Sequence, residues 1–397
     1  MRIARGIILG VALAGLLVGC APDSSVRMAT RAPHADPAAT RDDVEIRAAV
    51  DRGVAFLLET QFTDGSWGSS FPKAANVLAP VPGGHRSFKI GTTSLCIMAL
   101  CEAGGDSDAI NESLLRSLDY LIVELPRLKR DDLETMYNVW GHAYSIQALV
   151  RLRDRFDFAP EMLATVDELI ASQIHMLDRT QSIMGGWGYY TWGRPVSSRP
   201  SVYPTSFTTA TAMVALHDAE QAGFEVPPRM LKSGMAGLAK ARLPDFCYGY
   251  YIMPIPTPRS ALDSPAGSLG RSQACNLATY LWGDPRMELP IIAAWLDRLM
   301  ARQGWLSIAR KTQEPHKSNF AISGYFYYYG FYYGALCVDL LDEADREYYH
   351  DHLAAILLPR QEKDGSWWDY ATYQYHQQYG TALAVMTLNR CLLPDAP

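Results

Sequence analysis

The sequence predicts an all-α fold, a single (α/α)6 toroid in which six inner helices are surrounded by six outer ones. Three observations lead there. Apolar residues recur at helical spacing in six successive pairs of segments, each broken by Gly-, Pro- or Ser-containing turns. Within each pair one segment carries a polar face, while the other is apolar nearly all round, as expected of an outer and an inner ring. The phrase Q-x-x-D-G-S-W stands at 61–67 ("QFTDGSW") and again at 361–367 ("QEKDGSW"). A repeat at both ends of a chain is what a closed ring requires, because its first and last units are neighbours.

The outer helices are expected at roughly 44–60, 107–124, 160–179, 227–243, 285–302 and 343–360. Asp42 and Asp43 favour the start of the first. The inner helices are expected at roughly 90–104, 137–154, 204–222, 268–282, 322–341 and 374–391. Three of these share a phrase: "IGTTSLCIMAL", "FTTATAMVAL" and "YGTALAVMTL". Their small residues allow close helix approach around a crowded centre.

Ahead of the helices, Arg2 and Arg5 precede an apolar run from Ile7 to Val18 that is short for a membrane span. It ends in Leu17-Val18-Gly19-Cys20, which resembles a bacterial lipobox. That resemblance implies a signal peptide over 1–20, cleavage before Cys20 and a lipid on its sulfur. An ordinary signal peptide or short anchor is the alternative. Residues 21–42 are rich in Ala, Pro and polar residues and read as a flexible tether to a toroid domain over 43–397. The expected location is the cell envelope, outside the cytoplasm, with the lipid making the membrane a partner.

The chain has 397 residues, 48% apolar and 20% charged, with net charge −6. This composition suits a large buried core. No basic stripe offers itself to phosphates, which argues against nucleic acid as a partner. Five of the six cysteines beyond Cys20 lie in apolar helical contexts and read as buried thiols. Cys247 alone lies in a polar, turn-like one.

The stretch "RGVAFLLETQFTDGSW" (52–67) reads [K/R]-G-x2-[F/Y/W]-L-x3-Q-x3-G-x-W, which resembles the QW motif of squalene and oxidosqualene cyclases. "QSIMGGW" (181–187) and "QEKDGSW" keep its second half, and "RLPDFCY" (242–248) and "RQGWL" (302–306) look like decayed copies. The resemblance extends to a superfamily that includes protein prenyltransferase β-subunits and thioester domains. It implies an α/α toroid in which Gln caps a helix end, Gly permits a tight turn and Trp covers the joint between repeats. It says less about chemistry. The D-x-D-D acid motif of the cyclases and the C-G-E-Q motif of the thioester domains are both missing. Asp245-Phe246-Cys247-Tyr248 resembles the D-x-C-Y zinc ligands of the prenyltransferases, with His376 as the third ligand. Zinc is the cofactor that Asp245, Cys247 and His376 would hold. The same segment also reads as a structural joint.

Residues near the starts of inner helices should converge at one mouth of the ring. Among these, His142, Asp369, Tyr373 and His376 are the candidate catalytic groups, as proton donors or acceptors. Arg271 and His316 are candidate ligand-binding groups, and "YFYYYGFYY" (325–333) adds Tyr325, Tyr328 and Tyr332, with Tyr379 from the last helix. Such rings either line a cavity for an apolar, isoprenoid or peptide-like ligand or pack against the outer helices. Arg86, Lys89 and Lys317 would favour an anion at the same mouth. The prolines of 250–267 suggest a lid. Two functions follow: an enzyme of cyclase or prenyltransferase type, or a binding module of the cell envelope.

Overall fold

The computed structural model describes residues 33–69, 82–128, 138–189, 204–253 and 260–392. Among these residues are twelve α-helices: α1 (Asp43–Glu59), α2 (Pro82–Ala103), α3 (Asp108–Glu124), α4 (Asn138–Arg155), α5 (Pro160–Thr180), α6 (Ser206–Gln221), α7 (Pro228–Ala241), α8 (Leu269–Leu281), α9 (Leu289–Ala309), α10 (Tyr327–Val338), α11 (Glu343–Leu357) and α12 (His376–Arg390). Each even-numbered helix packs on the next even-numbered one, from α2 round to α12, and α12 returns to α2. The odd-numbered helices lie outside them, and α1 rests against both α2 and α12. The fold is the all-α toroid read from the sequence.

Local chemistry sets where the outer helices begin. Asp42, Ser107 and Asp342 accept amide hydrogens at the starts of α1, α3 and α11. The helices α5, α7 and α9 instead begin with a proline in the first turn, where a missing N–H costs nothing. The inner helices α6, α8, α10 and α12 begin without a side-chain cap. They emerge from buried joints whose hydrogen bonds come from elsewhere.

Three of those joints repeat one geometry. Trp67, Trp187 and Trp367 are almost completely buried and donate their indole N–H to the carbonyls of Leu57, Leu177 and Leu357, at 2.6, 2.8 and 3.0 Å. Their main-chain N–H groups donate to Oγ1 of Thr93, Thr209 and Thr381, at 3.0, 3.0 and 2.9 Å. These threonines belong to the phrase shared by α2, α6 and α12, so they recur as hydrogen-bond acceptors as well as small residues. The glutamines do not cap their own helices. Gln61, Gln181 and Gln361 reach across to carbonyls of the next outer helix, Ser113 on α3, Met230 on α7 and Ala49 on α1, at 3.0, 2.8 and 2.9 Å. The last of these bonds seals the ring. A fourth turn, 242–248, keeps the same backbone pattern, with Phe246 at φ 60° where the others have glycine.

Some boundaries differ from those expected. The helix α2 starts at Pro82 instead of near residue 90. Its first turns lack apolar periodicity, and Arg86 and Lys89 pair there with Glu124 and Asp64. The helix α9 continues to Ala309, bending at Arg302, so "RQGWL" is helix and not a joint. Before α10 the chain forms a short antiparallel pair, His316–Lys317 with Ile322–Ser323, and a 3-10 turn at Gly324–Phe326. Ahead of α1, residues 33–42 form no helix or strand and lie along the outside. His34 contacts Asp297 at 2.9 Å, Tyr348 donates to the carbonyl of Ala35 at 3.3 Å, and Arg41 pairs with Asp351 at 2.9 Å. No helix among the described residues is long and apolar enough to cross a membrane.

Gly365 shows what the closing joint demands. It has φ 87°, and a Cβ there would lie 2.5 Å from the carbonyl oxygen of Arg52 on α1. Gly105 has φ 66° with nothing within 4 Å of such an atom. In thermal or denaturant melts, Gly105→Ala should cost about 1–2 kcal/mol for the left-handed backbone alone. Gly365→Ala should cost a further ~1–3 kcal/mol for the forced separation of helices. Equal losses would show that the seam tolerates the extra methyl.

Candidate active site

The first turns of the inner helices and the segments leading into them enclose a cavity of about 510 Å³. Of the 22 residues lining it, 14 are aromatic, so most of its wall consists of ring faces and edges. The inner helices supply Phe88, Trp140, Tyr144, Phe207, Tyr329 and Tyr379; the leading segments supply Tyr189, Tyr250, Tyr325 and Phe326, with a further group between Tyr370 and Tyr375. Phe207 sits at the centre of one cluster, edge-on to Phe326 at 4.8 Å and to Tyr250 at 5.1 Å.

Asp369 is the only carboxylate among the described lining residues, and no Lys or Arg is among them. It is 1% exposed. Its Oδ1 accepts the N–H of Tyr370 at 2.7 Å, and Oδ2 accepts the N–H of Tyr328 at 3.4 Å. Its own carbonyl accepts the N–H of Lys311 at 2.5 Å, which ties the acid to the end of α9. Burial among rings pushes its carboxyl up to about 7, with the two amide hydrogens and the positive charge of Arg310 opposing. A carboxyl so placed can hold a proton at higher pH than an exposed one and donate it into the cavity.

The structure divides the residues expected from the sequence. Of the four candidate catalytic groups, Asp369 and Tyr373 face the cavity. His142 does not: it is fully buried between α4 and α5, with Nδ1 2.7 Å from Gln173 Oε1 and Nε2 3.3 Å from Asn138 Nδ2. Burial pushes its imidazole down to about 4, which makes it a neutral packing residue. His376 also lies outside the wall. Its Nδ1 meets the carbonyl of Tyr373 at 3.0 Å, and its ring sits edge-on to Trp368.

Of the candidate binding residues, His316, Tyr325 and Tyr379 line the cavity. Arg271 does not. It is completely buried, donates to the carbonyls of Gly267, Tyr248 and Leu262, and lies 5.0 Å behind the Tyr250 ring, which it holds in place. Tyr328 and Tyr332 are buried outside the wall; Tyr329 takes the facing position. One residue along a helix turns a side chain by about 100°, so choosing the wrong ring of a Tyr run loses the site.

The cations of the mouth are engaged by acids, Lys89 with Asp64, Arg86 with Glu124 and Lys317 with Glu314, so they do not form an anion site. Of the expected lid, Tyr250, Tyr251 and Leu262 flank the cavity, and 254–259 lie outside the described residues. Among the described residues no three His, Cys, Asp or Glu side chains come together to hold a metal ion. Asp245, Cys247 and His376 are therefore not assembled as zinc ligands. The first two belong to the turn before α8, where Leu243 N–H donates to the carbonyl of Cys247 at 2.8 Å just as Phe62 does to Ser66 at 2.9 Å. His376 opens α12, with α10 between. None of the six cysteines past Cys20 forms a disulfide.

No family model matches the chain, and no curated protein matches it either. Its fold is shared with solved toroid enzymes. A cellobiose 2-epimerase from Spirochaeta thermophila superposes with TM-score 0.55 at 15% identity, over 88% of this chain and 97% of that one. An α-1,6-mannanase from Salegentibacter sp. gives 0.53 at 9%, over 87% and 98%. The type II terpene cyclase MstE from Scytonema gives 0.51 at 13%, over 88% and 98%. At these identities the likeness is one of fold.

The raised carboxyl of Asp369 carries a stability signature. Between its ordinary ionisation at 3.8 and its folded value of about 7, the folded protein holds a proton that the unfolded chain has released. That contribution to stability falls as pH rises through this window. Asp369→Asn cannot accept both amide hydrogens, so it should melt below the native protein at pH 5. Its deficit should shrink or reverse by pH 8. A deficit independent of pH would mean that Asp369 ionises like an exposed carboxylate.

Proposed function

We propose that this protein is an acid-catalysing toroid enzyme that takes an apolar, isoprenoid-like ligand into its central cavity and protonates it from Asp369. The observation that carries this reading is the one carboxyl among the described lining residues, buried and pushed up to about 7, set in a wall of aromatic rings. Protonation of an alkene or an epoxide creates a cation or its equivalent. Ring faces such as those of Trp140, Phe207 and Tyr329 stabilise a cation without quenching it, as a carboxylate or water would. The fold likeness to a type II terpene cyclase is compatible with this reading, but sugar-acting enzymes share the fold too, so the site must decide. Glycoside hydrolysis uses two carboxyls flanking the bond, and one stands among the described lining residues. Ionising a diphosphate calls for cations, and none lines the described wall. A peptide-like ligand fits less well, because most of the wall offers rings instead of partners for a peptide backbone.

The lipobox-like leader supports a cell-envelope location for this chemistry. On the proposal, Cys20 carries a lipid and tethers the toroid to a membrane, from which an apolar ligand can be drawn; Cys20 lies outside the described residues. Cys20→Ser, expressed in a bacterium, should then move the protein from the membrane to the soluble fraction. Unchanged membrane association would remove the lipid anchor.

Linear isoprenoids offered to the protein in deuterated buffer should give cyclised or isomerised products carrying deuterium, read by mass spectrometry. Asp369→Asn should slow turnover by about 10²- to 10⁴-fold while changing ligand affinity far less. Turnover that survives Asp369→Asn would end the acid role. Tight binding by the native protein with no turnover would make it a binding module.

A further inference from the structure

We infer that the ligand carries a hydrogen-bond donor, a hydroxyl or an amine, and that a directed chain of side chains, Tyr189–Tyr250–Tyr325–His316, recognises it. This rests on the reading above that the cavity takes an apolar ligand.

All four side chains line the cavity. The hydroxyls of Tyr189 and Tyr250 are bonded to each other, Tyr250 and Tyr325 are 3.5 Å apart, and the Tyr325 hydroxyl lies 3.4 Å from His316 Nε2. The direction of the chain follows from its end. His316 Nδ1 lies 3.2 Å from the carbonyl oxygen of Ala321, with Ser323 Oγ 3.0 Å away. A carbonyl oxygen only accepts, so Nδ1 carries the hydrogen. Partial desolvation, with the nearby charge of Arg271, outweighs the hydrogen bond to Ala321 and favours the neutral ring, which leaves Nε2 as an acceptor. Tyr325 then donates to Nε2, Tyr250 to Tyr325 and Tyr189 to Tyr250. A phenol has one hydrogen to give, and that of Tyr250 is committed to Tyr325. The Tyr250 oxygen accepts from Tyr189, donates to Tyr325 and keeps one lone pair. At the Tyr250 oxygen a donor is welcomed, and a group that can only accept finds no hydrogen left.

The cavity, at about 510 Å³, has room for roughly 17 groups at ~30 Å³ each, the share of a liquid water molecule. A C15 isoprenoid alcohol is of that size.

Isothermal titration of the full chain in detergent with farnesol, its methyl ether and the parent C15 hydrocarbon tests the inference. The ether keeps the oxygen and loses the donor. The alcohol should bind roughly 3- to 10-fold more tightly than the ether, the yield of one net hydrogen bond. The ether should bind no better than the hydrocarbon, and Tyr250→Phe should erase the alcohol's advantage. Equal binding of alcohol and ether to the native protein overturns the inference whatever the variant does, and leaves the apolar-cavity reading standing. Binding of none of the three overturns both.

Discussion

The bond from the Gln361 side chain to the carbonyl of Ala49 joins the last outer joint to the first outer helix, across 312 residues of chain. With it come the Trp367 ring and the tight approach of Gly365 to the Arg52 carbonyl. A ring of helix pairs can bury its inner helices on all sides only when it is closed; left open, α2 and α12 would each expose an apolar flank. The seam uses the same contacts as the interior joints, so closure adds no new type of interaction. It needs the repeat to recur in the right register at both ends of the chain, which is why the same seven-residue phrase stands near residue 61 and again at 361.

Closure creates the site. Helices packed by small residues leave a narrow centre, and the joints that lead into them bring large rings to one end of it. The cavity is therefore walled by residues far apart in the chain but equivalent in the repeat: Tyr189, Tyr250 and Asp369 all lie in segments that precede an inner helix. The same enclosure that makes the wall apolar makes the single carboxyl expensive to ionise. Its two amide hydrogens hold it in place without fully offsetting burial. Around the mouth Lys89, Arg86 and Lys317 are paired with acids, and the described wall carries one carboxylate, Asp369, together with the linked side chains of Tyr250, Tyr325 and His316.

Much of the site was legible as neighbourhood and little as orientation. The segment "YNVWGHAYS" attracts notice through His142, yet Trp140 and Tyr144, spaced four apart, carry the inward face. The histidine turns outward to Gln173. In "YFYYYGFYY" any ring could have faced in; the 3-10 turn before α10 fixes the phase so that Tyr325, Phe326 and Tyr329 do. Arg271 looked like a ligand-binding cation and is a buried strut beneath Tyr250. Asp245 and Cys247 looked like metal ligands and form a structural turn, because 242–248 keeps the backbone bonds of the Asp-Gly-Ser-Trp joints while its side chains have drifted.

The sequence by itself determined the helices, their alternation between outer and inner rings, and the fact of closure. Those depend on periodicity, capping residues and a repeated phrase, all of which act over a few residues. It also placed Asp369 and Tyr373 at the mouth, because that mouth is where every inner helix begins. Only the tertiary structure decided which of the clustered rings face the cavity, since that depends on helix phase, and phase is set by packing against neighbours up to three hundred residues away. It alone buries Asp369 so that its carboxyl is pushed up to about 7. The sequence around it, "WWDYATY", contains no motif for proton donation; the shift in its carboxyl comes from burial in the assembled ring.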